Sequence, residues 1–154
     1  MGIQVKYNYM DMRPLICYDY GDMCEEITGG WVGNGSAQAD HLYINVNYSS
    51  TEDRRSSRFT LQAVDVTPYR TLEVVISNDS SNNWDGQSLG LYSSRNYSSR
   101  VAGPSVGNNA HTMETMYTDI SHLSGVFYGG MSVYVSKSSS SGNWLRLYSF
   151  RLIR

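Results

Sequence analysis

Short apolar runs recur along this chain about every ten to fifteen residues, each bounded by Gly, Pro, Asn, Asp or Ser, with no sustained helical period. Segments of that kind bury one face only by pairing side by side, so the pattern predicts strands rather than helices. In Ile3–Tyr9, the residues Ile3, Val5, Tyr7 and Tyr9 share a side. Leu15–Tyr20 follows Pro14, and Ile27–Val32 follows the turn at Gly21-Asp22. In Leu42–Tyr48 the residues Leu42, Ile44 and Val46 share a face, and Phe59, Leu61 and Ala63 alternate after a polar loop at 49–57. Leu72–Ile76 is apolar at nearly every position and reads as a central strand covered on both faces. Ser88–Ser93, Met113–Ile120, Val126–Ser136 and Trp144–Ile153 complete about nine or ten strands, with one helical turn at Asp119–Leu123 capped by Ser121.

Composition agrees. Thirteen Tyr stand among Val, Ile and Thr, which suit a pleated surface, while Ser, Asn and Gly supply turns. At 154 residues the chain has the size of one domain able to bury its own core. The expected architecture is all-β, a two-sheet antiparallel sandwich spanning 15–154, with 1–14 as an N-terminal arm or edge strand. Trp31 and Trp144 fall at strand positions and are expected in the core. Gly29-Gly30 and Gly129-Gly130 are expected to mark bulges or tight bends.

Several function classes find no support. A net charge of −2 gives no basic stripe for nucleic acid, and the densest basic spot, Arg54, Arg55 and Arg58, lies beside Glu52 and Asp53 and reads as a solvated loop. No apolar run approaches the roughly 20 residues of a membrane span, and the N-terminus carries no signal-peptide core. Cys17 and Cys24 make neither a disulfide framework nor a zinc site; they either close one short loop or remain thiols, and the reading favours thiols. His41, His111 and His122 stand apart, outside any metal-ligand spacing, and read as strand-edge or loop residues. No G-x-S-x-G elbow, paired carboxylates or phosphate loop appears, so no enzyme, cofactor or metal is expected. The Asn-x-Ser tripeptides at Asn34, Asn47, Asn78 and Asn96 are what chance produces in a chain this rich in Asn and Ser.

Two loops carry the mixture that sugar recognition uses, aromatic faces beside amides and charges on a rigid scaffold. Asn82, Asn83, Trp84 and Asp85 form the first, and Tyr92, Arg95, Tyr97 and Arg100 the second. Trp84 either stacks on a ligand or folds back as a plug against the sandwich edge.

The phrases Leu15–Trp31, Val64–Ile76 (DVTPYRTL at its head), Thr118–Gly125 (TDISHLSG) and Asn143–Ile153 occur in this order. Together they resemble the β-sandwich modules near the ends of phage and prophage tail proteins, similar in outline to galactose-binding-like, carbohydrate-binding jelly rolls. The resemblance implies a virion protein made in the bacterial cytoplasm without a signal peptide. Its partners would be a host surface glycan and other virion or tail proteins, in a homo-oligomer such as a trimer, with no nucleic acid and no membrane insertion. The alternative is a structural assembly domain that touches only protein.

Overall fold

The computed structural model describes residues 13–22, 29–79, 86–106 and 112–154. The expected strand Ile3–Tyr9, together with Cys24 and His111, lies outside them.

The described residues form twelve strands: β1 (Leu15–Asp19), β2 (Trp31–Gly33), β3 (Ser36–Ala37), β4 (Leu42–Val46), β5 (Arg54–Thr60), β6 (Val64–Asp65), β7 (Thr71–Asn78), β8 (Gln87–Tyr92), β9 (Arg100–Ala102), β10 (Glu114–Asp119), β11 (Val126–Val135) and β12 (Asn143–Ile153). Sheet A runs β10-β7-β12-β4-β3, with β1 also on β12; sheet B runs β2-β5-β11-β8-β9, with β6 also on β11. Every pairing between these strands is antiparallel. The two sheets face each other across one apolar core, so the chain is the β-sandwich its periodicity implied.

Alternation decides which side chains enter that core. Leu72, Val74 and Ile76 of β7, Leu145, Leu147, Phe150 and Leu152 of β12, and Met131, Val133 and Val135 of β11 are all buried there. As expected, β7 is central in its sheet, between β10 and β12. Trp31 is core as expected, 3% exposed, edge-on to Phe150 at 5.3 Å, with its indole N–H donating to the Cys17 carbonyl.

Three expectations need correction. Residues 54–57 are not loop but the start of β5, held by their pairing with β11, so a long-range partner overrides a run of Arg and Ser with little strand character. Gly129 and Gly130 make no bulge; they lie in unbroken β11 and open space on its two faces. A side chain at Gly129 would meet Trp31, Thr60 and Phe150 in the core, and one at Gly130 would strike Phe59 and Tyr92 on the outer face. At 119–123 there is a tight turn, not a helix, and its capping group is the Asp119 carboxylate, which accepts from the Ser121 amide at 2.9 Å.

Asp119 has counterparts at other turns. Asp65 accepts from the Thr67 amide at 3.0 Å, and Asp53 from the Lys137 amide at 2.8 Å. These bonds hold all three carboxyls below the ordinary carboxylate range: Asp119 chiefly through the Ser121 side chain, Asp65 through the Thr67 side chain, and Asp53 through the Lys137 amide. A depressed folded-state value means their contribution is complete above the unfolded carboxylate range and is lost as pH falls through the folded values. The urea midpoint should therefore fall steadily below about pH 4. A midpoint level down to about pH 2 would mean that these turns contribute nothing.

Candidate functional site

Of the eight residues singled out in the two loops, the structure describes Tyr92, Arg95, Tyr97 and Arg100. Asn82, Asn83, Trp84 and Asp85 lie outside the described residues. Tyr92 is corrected outright: it is 0% exposed and offers no ring face to a ligand. Its ring stands edge-on to Phe59 at 5.2 Å, and its hydroxyl lies 3.0 Å from that of Ser88. Burial pushes the Tyr92 phenol above its ordinary value, with the Ser88 hydrogen bond opposing. Arg100 is exposed, and its guanidinium donates to the carbonyls of Leu89 and Pro104, bracing the backbone beside β8 and β9.

Tyr97 and Arg95 do reach the surface, on a loop over the outer face of sheet B. That loop is closed by the Ser93 amide donating to Ser99 O, and Asn96 caps the 3-10 turn Tyr97–Ser99. Tyr97 is half exposed, but one ring face already carries the Arg55 guanidinium, 3.7 Å from the centroid; Arg55 also lies 4.8 Å from the Tyr134 ring. Arg95 sits 5.9 Å over Tyr128. Arg55, read from the sequence as solvated, is thus held between two rings and also donates to Ser132 Oγ. Arg58 is corrected likewise, being partly buried, with its guanidinium donating to the Asn34 carbonyl.

A different constellation forms on the opposite outer face, that of sheet A. Because Leu42, Ile44 and Val46 of β4 point inward, Tyr43 points out; because Leu145 and Leu147 of β12 point inward, Trp144 and Arg146 point out. The register sets Arg146 directly across from Tyr43. Its guanidinium lies 4.5 Å from the Trp144 ring and 5.7 Å from that of Tyr43. Trp144 therefore does not share the core role of Trp31.

An irregularity in β12 between Leu147 and Ser149 sets Tyr148 on this same face, where its hydroxyl lies 3.2 Å from that of Ser77. The β3–β4 turn, closed by the Gln38 amide donating to His41 O at 2.8 Å, brings His41 over it. His41 lies 5.3 Å from Tyr148 and 6.4 Å from Tyr43. The rim is fixed by a close approach at Gly21, whose φ is +103° and where any side chain would collide with the Ala39 carbonyl.

Gln38, His41, Tyr43 and Arg146 line an open depression of about 260 Å³ here. Asp40 holds His41 Nδ1 at 2.7 Å, which leaves Nε2 as the ring nitrogen that can meet a ligand. Gln38 donates to Ser36 Oγ at 2.6 Å and keeps its carbonyl oxygen as an acceptor. The depression thus combines flat aromatic faces with directional donors and acceptors on strands and a tight turn, an arrangement suited to holding a small polar ligand.

The sequence carried a signal for this face. In Trp144-Leu145-Arg146-Leu147 the leucines claim the core, which forces Trp and Arg out together. His41, read as an edge or loop residue, could not be assigned to it without the β3–β4 turn. Among the described residues no three His, Cys, Asp or Glu side chains group as metal ligands, and no helix is long and apolar enough to cross a membrane. No protein-family model matches the chain, and no curated protein matches it.

Proposed function

We propose that this chain is a non-catalytic binding module that takes host cell-surface carbohydrate on the outer face of sheet A, as part of a phage or phage-derived tail. The observation that carries the reading is the convergence of Tyr43, His41, Arg146 and Gln38 on one open depression. A sugar ring has an apolar C–H face and a rim of hydroxyls. The Tyr43 ring suits the first; Gln38, His41 Nε2 and Arg146 suit the second. A volume of about 260 Å³ fits one or two sugar rings at the end or branch of a chain better than a long polymer. The tail setting draws its support from the order of strand-building phrases in the sequence.

A second reading, a structural domain contacting only protein, draws on β10. That strand is an edge of sheet A, and beside it Met113 and on it Tyr117 are 51% and 63% exposed. Tyr43→Ala separates the two readings. Binding to a glycan array or a cell-wall preparation should fall about tenfold or more, with the thermal midpoint nearly unchanged. If the unaltered chain binds no glycan on such an array, the carbohydrate reading is wrong and the protein-contact reading gains.

A further inference from the structure

We infer that the saccharide bound on this face is acidic, bearing a carboxylate or phosphate group, and that Arg146 receives that group; the inference rests on the carbohydrate reading above. Four other arginines packed against the domain each spend at least one guanidinium N–H on the protein, and Arg95, which also lies over a ring, is exposed to solvent. Arg55 donates to Ser132 Oγ, Arg58 to the Asn34 carbonyl, Arg100 to two carbonyls, and Arg151 to the Asp19 carboxylate at 3.1 Å. Arg146 is partly buried, and none of the described residues supplies its guanidinium with a hydrogen-bond acceptor; its Nε is buried without one. Arg58 and Arg151 share an unpartnered Nε, but each satisfies a terminal nitrogen.

Rings, not acceptors, hold Arg146. Trp144 and Tyr43 meet the guanidinium through their π-faces, an attraction that fixes its position and consumes no N–H donor. What remains is a planar, permanently charged fork at the wall of an open depression. Such a fork matches the paired oxygens of a carboxylate or phosphate, and charge-assisted bonds of that kind are roughly twice as strong as those to a neutral hydroxyl. Asp40 pairs with His41, and among the described residues no carboxylate forms an ion pair with Arg146. Hydroxyls alone would leave the charge of Arg146 uncompensated in a partly desolvated place.

The test is calorimetric titration of the full chain with three probes: a uronic-acid oligosaccharide, a phosphate-bearing oligosaccharide, and a neutral oligosaccharide of matched length. At least one acidic probe should bind about tenfold or more tighter than the neutral one, and which of them does so identifies the anion. Arg146→Gln should reduce acidic binding to the neutral level, while Arg146→Lys, a point charge without the fork, should recover only part of it. Raising the salt concentration should weaken the acidic probe and spare the neutral one, a readout on the unaltered protein that needs no variant to fold. Equal affinity for acidic and neutral probes, or salt-independent acidic binding, would overturn the inference and leave the carbohydrate reading standing. Binding of none of the three, nor of any glycan on the array, would overturn both.

Discussion

Gly130→Ala should destabilise the domain by about 1–3 kcal/mol, and Gly130→Val by more. A methyl group there would sit 2.5 Å from a Phe59 ring carbon and 2.7 Å from one of Tyr92. Neither ring has room to retreat. They stand nearly perpendicular at 84°, both buried, and the Tyr92 hydroxyl is engaged by Ser88. Gly86→Ala is the matched control, because the nearest atom to a methyl group there is Tyr134 Cβ at 3.6 Å; it should change stability by no more than about 0.5 kcal/mol. Adding Phe59→Leu to Gly130→Ala should recover part of the loss, since it removes the ring atoms the methyl group strikes. Urea denaturation of the four proteins in that cycle reads the coupling directly. If Gly130→Ala proves as mild as Gly86→Ala, the outer face of sheet B is not packed through this glycine.

That face also shows what a single sequence conceals. The bounds of β7, β8, β10, β11 and β12 were legible to within a residue or two, because each carries a run of apolar or alternating positions between turn residues. β5 was not, since Arg54-Arg55-Ser56-Ser57-Arg58 has no apolar face and becomes strand only through partners far away in sequence. Tyr92 was misread for a related reason. Its parity, opposite to that of Leu89 and Leu91, correctly turns it away from the core, but an outward residue is exposed only if nothing covers it. Here Phe59, far earlier in the sequence but adjacent in space over Gly130, completes its burial. The candidate site divides along the same line. Tyr43, Trp144 and Arg146 follow from alternation, whereas His41 and Gln38 depend on how the β3–β4 turn closes, and Tyr148 on an irregularity in β12.

The two described tryptophans, alike in the sequence as strand residues, should behave in opposite ways. Trp31→Ala should cost about 3–5 kcal/mol, because it empties a core site between Phe150 and the slot at Gly129 and removes the donor to the Cys17 carbonyl. Against a typical total stability of about 5–15 kcal/mol, that loss should lower the thermal midpoint by about 10 °C or more, or prevent folding. Trp144→Ala removes no core volume. Its cost to stability includes the lost ring contact with Arg146, worth about 1 kcal/mol at a partly exposed site, and should stay well below that of Trp31→Ala. Its cost to binding should be larger, about tenfold for an acidic saccharide, because the guanidinium loses the nearer of the two rings that hold it in place. Calorimetry on Trp144→Ala and thermal melts of both variants separate the roles. If Trp144→Ala instead unfolds the domain as Trp31→Ala does, the outer face of sheet A is a packing surface and the depression beside Arg146 loses its claim to a ligand.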